Sequence, residues 1–210
     1  MRNILRNFLW RWFFKNIIRY FVGISYGSND SLRNTPQFII VGNHNSHLDT
    51  AVILSALPSA LLPNVYTVAA GDYFGRNKVI KFATEFFLNA TLIKRHKDGD
   101  GPNPIEQLDG FLKEGKSLVI YPEGTRGNPN ELQKFKKGVG ILLEKNPHIP
   151  VIPVFLDGLG RTLPKGEKLL VPFNGSIQIG EPLLKKPEMN VDETIEYIQQ
   201  AVINLAPKKG

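Results

Sequence analysis

The sequence predicts an α/β fold, a single mostly parallel central sheet flanked by helices, preceded by an amphipathic helix that associates with a membrane. Three observations predict it. Short β-rich runs alternate with helical stretches, polar clusters follow directly on strand-like runs, and the excess basic charge collects ahead of both. A length of 210 residues suits one domain with one substantial core. A hydrophobic content of 42% with 21% charged residues fits neither a disordered chain nor a multi-span membrane protein.

The N-terminal segment comes first. Arg2, Arg6, Arg11, Lys15 and Arg19 all precede the first acid, Asp30, so most of the formal charge of +7 belongs to one short stretch. No recognisable nucleic-acid module or basic folded face accompanies it, so nucleic acid is not the expected partner. Residues 4–26 hold Phe8, Trp10, Trp12, Phe13, Phe14, Tyr20, Phe21 and Tyr26 among Ile, Leu and Val. The recurring charges leave no run near the roughly 18 uncharged residues of a spanning helix, and no signal-peptide core with a small-residue cleavage site is present. At about 100° per residue, Trp10, Phe14, Ile17, Phe21 and Ile24 fall on one charge-free arc. An aromatic arc flanked by Arg and Lys suits an interfacial helix on anionic lipid; the alternative is a helix packed on the domain. Residues 1–27 are read as this membrane-associating segment and 28–210 as the domain, joined by a polar linker over 27–36.

The domain alternates strand and helix. Strands are expected at 38–41, 65–69, 90–93, 117–121, 151–155, 168–171 and 176–179, and helices near 49–57, 77–88, 104–114, 135–145 and 191–205. The helix at 104–114 has a clear start and stop. Asn103 can cap it, Pro104 suits its first position, Ile105, Leu108 and Leu112 form its apolar face, and Gly115 follows its end. The last helix carries Ile195, Ile198, Val202 and Leu205 on a similar stripe. Parallel connections of this kind put a ligand site at the C-terminal ends of strands.

Two polar clusters lie where that rule puts them. Asn43-His44-Asn45-Ser46-His47-Leu48-Asp49 sits between an apolar run and a helical one. The carboxylate of Asp49 can fold back and hold one nitrogen of His44, leaving the other as a base for a neutral hydroxyl. His47, two positions from Asp49, points differently and ranks second; a plain helix cap at Asp49 is the alternative. Tyr121-Pro122-Glu123-Gly124-Thr125-Arg126 follows the next apolar strand. Proline ends the ladder, glycine lets backbone approach a ligand, and Arg126 offers a fork for phosphate; a surface Glu–Arg turn is the alternative. Lys134-Phe135-Lys136-Lys137-Gly138 can add a phosphate contact, with Lys137 the candidate, or present a solvated face.

His44 with Asp49 in an Asn-His-x-x-x-x-Asp pattern, and Tyr121-Pro-Glu-Gly-Thr-Arg126, resemble the glycerophospholipid acyltransferases, in particular the bacterial 1-acylglycerol-3-phosphate acyltransferases. Ile149-Pro150-Val151-Ile152-Pro153-Val154 is similar to the family's hydrophobic fourth block, and Leu92-Ile93-Lys94-Arg95 stands at its arginine-ended second block. The resemblance spans roughly residues 38–180. The second block departs from the family pattern, with Asn89 where glycine is usual and Thr91 and Leu92 in the core. The resemblance implies direct transfer of an acyl group from an acyl thioester, acyl-CoA or acyl-carrier protein, to a lysophospholipid hydroxyl, lysophosphatidate first. Glycerol 3-phosphate or another lysophospholipid stands behind it. It implies His44 as general base, Asp49 as its orienting carboxylate, and Glu123, Gly124, Thr125 and Arg126 lining the acceptor site, with Arg95 and Arg126 on the acceptor phosphate. It also implies no metal and no cofactor beyond the thioester co-substrate, in line with a sequence that has no cysteine nucleophile. A backbone N–H of the 123–125 turn is expected to face the oxyanion. The expected location is peripheral or monotopic on the cytoplasmic face of a membrane. A non-catalytic lipid-binding protein and a thioesterase are the competing functions.

Two further patterns carry less. Gly23-Ile24-Ser25-Tyr26-Gly27 has the spacing of a nucleophile elbow but neither the strand before it nor the helix after it. Asp98-Gly99-Asp100-Gly101 lacks the later glutamate of a calcium loop and reads as an ordinary loop.

Overall fold

Among the described residues seven strands form one sheet: β1 (Ile24–Tyr26), β2 (Ile39–Gly42), β3 (Val65–Ala70), β4 (Ala90–Ile93), β5 (Ser117–Ile120), β6 (Val151–Asp157) and β7 (Gly175–Ile179), in the spatial order β1-β7-β6-β2-β5-β3-β4. The computed structural model describes residues 8–70, 86, 88–93, 103–125, 127, 132–162 and 175–207. Every pair is parallel except β6 with β7. Helix α5 (Leu159–Thr162) follows β6 in the connection to β7. The remaining helices are α1 (Asp30–Arg33), α2 (Asp49–Ala56), α3 (Pro104–Lys113), α4 (Gly138–Lys145) and α6 (Val191–Asn204).

The central strands are apolar on both sides, as strands covered by helices on two faces must be. Ile40, Val119, Ile152 and Ile177 face a core shared with α2 and the N-terminal segment. Their neighbours Ile39, Val41, Leu118, Ile120 and Val151 face a second core beneath α3, α4 and α6. Side-chain alternation thus sorts one sheet into two layers. Helix α3 starts and stops as its sequence predicts: Asn103 Oδ1 accepts from the Ile105 N–H at 2.9 Å, and Gly115 takes a φ of +75°. Helix α6 carries a full capping box between Asn190 and Glu193. Helix α4 begins at Gly138 rather than at 135, because Phe135 is buried as a core anchor and the Lys136 N–H donates to the Pro122 carbonyl at 3.0 Å. The expected strand at 168–171 and helix at 77–88 lie outside the described residues.

The N-terminal segment differs most from its sequence reading. Residues 8–21 are helical, with wide π-type turns at Trp10–Phe14 and Ile17–Phe21 in which N–H groups reach back five residues. That wider pitch divides the arc expected from a 100° step. Trp10, Ile18, Val22 and Ile24 are buried against the domain, whereas Ile17 joins Phe8, Trp12, Phe13 and Tyr20 on the exposed side. The chain then enters the sheet, since β1 pairs in parallel with β7. Residues 8–27 therefore contribute an edge strand as well as a helix. Ser25 of the Gly23–Gly27 pattern sits in β1, its hydroxyl donating to the Gly175 carbonyl at 3.3 Å, which is no elbow.

Buried Asn43 extends the sheet with its side chain. Its Nδ2 donates to the Leu156 carbonyl and its Oδ1 accepts from the Leu156 N–H, both at 2.8 Å, so the carboxamide continues the β2–β6 ladder where the backbone of β2 turns away. Asn43→Ala should lower the unfolding free energy by about 2–6 kcal/mol, because two buried backbone groups lose their partners at about 1–3 kcal/mol each. Equilibrium denaturation measures this, and a loss under about 1 kcal/mol contradicts it.

Candidate active site

Strands β2 and β5 lie side by side in parallel register, Val41 opposite Ile120. Whatever follows their C-terminal ends must meet, and the His44 and Glu123 turns do so although 79 residues separate them. His44 Nδ1 lies 2.8 Å from Asp49 Oδ2. The carboxylate can only accept there, so Nδ1 carries the hydrogen, and in the neutral ring Nε2 keeps its lone pair. The same Asp49 oxygen accepts from the N–H groups of Asn45 at 2.7 Å and Ser46 at 2.8 Å. Asp49 is fully buried in the first turn of α2, where a negative charge is favoured, while the His44 side chain is 21% exposed. His47 is exposed and is not the ring that Asp49 holds.

The second turn grips the first from the other side. Glu123 Oε1 accepts from the His44 N–H at 2.9 Å, and the His44 carbonyl accepts from the Gly127 N–H at 3.0 Å. The Tyr121 ring stacks on the imidazole, centroids 4.1 Å apart and planes 14° from parallel, with its hydroxyl 3.0 Å from Thr50 Oγ1. Burial, then the nearby Asp49 charge, raises the Tyr121 phenol well above its ordinary range. Tyr121 therefore acts as a neutral wall. Glu123 is only 1% exposed, and burial raises its carboxyl from 4.5 to about 7 against the opposing hydrogen bonds from the His44 and Gln133 backbone. Its other oxygen, Oε2, has no hydrogen-bond partner among the described residues.

Gly124 adopts a φ of +75°, and a Cβ there would meet Lys136 Nζ at 2.7 Å. Lys136, not Lys137, thus lies over the turn. Lys137 instead points to α6, where its ammonium pairs with Asp192 at 2.8 Å on the surface. Only the start of α4 separates the two neighbours' directions, so a run of like charges could not distinguish them. The Gly124 N–H closes the turn on the Tyr121 carbonyl at 3.0 Å and is spent. That leaves the Glu123 and Thr125 N–H groups as the turn's candidates for the expected oxyanion contact. Arg95 and Arg126 lie outside the described residues, as does the 98–101 loop. Just before Arg95, Asn89 has a φ of +48° and donates from Nδ2 to the Val65 carbonyl at 2.8 Å. Asparagine tolerates this left-handed conformation better than most residues. Among the described residues no three His, Asp or Glu gather as metal ligands.

The raised Glu123 carboxyl has a signed consequence for stability. The folded protein holds this proton up to about pH 7, whereas the unfolded chain releases it near 4.5, so this group's contribution falls as pH rises between those values. Glu123→Gln cannot ionise and should escape that fall. Thermal unfolding of both proteins from pH 4 to 8 should show the variant gaining on the parent through this window and then holding its lead; parallel curves contradict the assignment.

Comparison with known proteins bears on the family and the fold. The family described as Acyltransferase matches residues 23–157. The chloroplastic 1-acyl-sn-glycerol-3-phosphate acyltransferase BAT2 of Brassica napus is 27% identical over 78% of this chain and 46% of its own length. The protein named Taffazin from Dictyostelium discoideum is 31% identical over 68% of this chain and 53% of its own. The human 1-acyl-sn-glycerol-3-phosphate acyltransferase beta is 24% identical over 82% and 60%. The chain thus spans about half the length of the curated relatives it matches. The crystal structure of the 1-acyl-sn-glycerophosphate acyltransferase PlsC from Thermotoga maritima superposes with a TM-score of 0.76 over 98% of this chain and 81% of that one, at 19% identity, which establishes the shared fold. On the extent of the family match, this chain belongs to the acyltransferase family.

Proposed function

We propose that this protein is a membrane-associated O-acyltransferase that moves a fatty acyl group from an acyl thioester to the free hydroxyl of lysophosphatidate, giving phosphatidate. The observation that carries it is the 2.8 Å contact between His44 Nδ1 and Asp49 Oδ2 at the joined ends of two parallel strands. Nε2 takes the hydroxyl proton as the oxygen attacks the thioester carbonyl. The tetrahedral oxyanion falls to the N–H groups of Glu123 or Thr125. It collapses with cleavage of the carbon–sulfur bond, and the departing thiolate recovers the proton from His44. Arg95 and Arg126 are assigned the acceptor phosphate by resemblance, and Lys136 over Gly124 adds a positive charge beside it. Several relatives bear the name 1-acyl-sn-glycerol-3-phosphate acyltransferase, which supports lysophosphatidate as the acceptor.

Thiol release from an acyl-CoA, followed with a thiol-reactive dye, tests the reaction without background because the chain has no cysteine. Release should require lysophosphatidate, and His44→Ala should lower it by about 10² to 10⁴ without altering the fold. Release without an acceptor makes the protein a hydrolase, and near-normal turnover in the variant removes His44 from the chemistry.

The membrane reading rests on exposed aromatics. Tyr20 is 77% and Trp12 64% exposed, and Phe8 and Phe13 stand beside them among basic residues. No helix of the described residues is long and apolar enough to cross a membrane. Replacing Trp12 and Phe13 together by serine should reduce binding to anionic vesicles by at least about tenfold, since each buried side chain of this size contributes about 1.5–3 kcal/mol. Unchanged co-flotation with vesicles contradicts the assignment.

A further inference from the structure

At the far end of α2 from Asp49, about 10 Å along the helix by its rise per residue, lies a cavity of about 260 Å³ beneath the N-terminal segment. Trp10, Leu54, Leu57 and Leu62 supply its apolar wall, and Lys15 and Ser59 its polar mouth. Ser55 also lines it, but its hydroxyl donates to the Val52 carbonyl and accepts from the Tyr26 hydroxyl, both at 2.7 Å, and is committed. Lys15 is half-buried and has no carboxylate within ion-pair reach among the described residues. Burial first, then the like charges of Arg19 and Arg33, hold its ammonium below the usual lysine range. A half-buried ammonium in a cavity wall, with no carboxylate in reach and two further cations acting on it, is a costly arrangement that an anion relieves.

The chemistry of the surroundings selects the anion. Lys15 and Arg19 share a helical segment with exposed Trp12, Phe13, Ile17 and Tyr20. Aromatic groups of this kind settle at the boundary between head groups and acyl chains, which puts the neighbouring cations at the level of lipid phosphates. The apolar wall behind Lys15 suits the glycerol and first methylenes of a lipid better than a hydrated free ion. We infer that this cavity is a binding site for the phosphate head group of an anionic phospholipid, separate from the His44 site, with Lys15 meeting the phosphate. The inference rests on the membrane-associated reading, because only at a bilayer surface do these groups meet lipid head groups.

The chain has two tryptophans, so Trp12→Phe leaves Trp10, in the cavity wall, as the single reporter. In that full-length background, dihexanoyl phosphatidate below its micelle threshold should give a saturable change in Trp10 emission. Dihexanoyl phosphatidylcholine should give none. Lys15→Gln should weaken the phosphatidate response roughly fivefold or more, and Lys15→Arg should restore it. No saturable change, or equal affinity in Lys15→Gln, overturns the site. Equal affinity for inorganic phosphate at matched ionic strength overturns the lipid source. Vesicle co-flotation of the unmodified chain decides the membrane reading separately: a chain that ignores vesicles yet gives the Trp10 response has the site without the membrane role, which contradicts the inference as stated.

Discussion

One carboxylate oxygen organises the site. Asp49 Oδ2 accepts from the His44 ring and from the Asn45 and Ser46 backbone, so a single buried charge joins the end of β2, the turn after it and the start of α2. Charge-assisted bonds of this kind are roughly twice as strong as neutral ones. With water excluded from Asp49, no competing donor relaxes the arrangement. The histidine that emerges has one permitted tautomer, with the free lone pair directed outward.

The sheet then over-determines that histidine. Parallel pairing of β2 with β5 brings the second turn alongside, and Glu123 and Gly127 fix the N–H and carbonyl of His44 while Tyr121 covers its ring. Ring, main chain and flanking wall are each held by a different residue. A base fixed before substrate arrives spends less of its effect on reorganisation during the reaction. Glu123 accordingly has a structural connection to His44 beyond the acceptor-lining role that family resemblance gives it.

Much of this was legible in the sequence because local chemistry decided it. The Asn103 cap, Pro104 and Gly115 bound helix α3 through three short-range rules, and the His44–Asp49 spacing permitted the contact that formed. What stayed hidden depended on geometry that no local rule carries. The three-residue β1 lay inside an aromatic stretch that reads as helix, and the π-type turns moved Ile17 away from Trp10. Lys136 and Lys137 differ only in their position relative to the first turn of α4, which core burial of Phe135 shifts. Asn43 looked like part of a polar turn, and its role as an extra rung between β2 and β6 required knowing which strand was its neighbour.

The central claim is that Asp49 sets the tautomer of His44, and nitrogen-15 NMR of the imidazoles tests it directly. The chain has four histidines, so Asp49→Asn, compared with the parent protein, assigns the relevant ring. The account predicts that neutral His44 carries its hydrogen on Nδ1 with Nε2 bare, and that Asp49→Asn abolishes this preference. A parent spectrum with every neutral histidine protonated at Nε2 would contradict it, because the nitrogen meant to accept the hydroxyl proton would already be occupied.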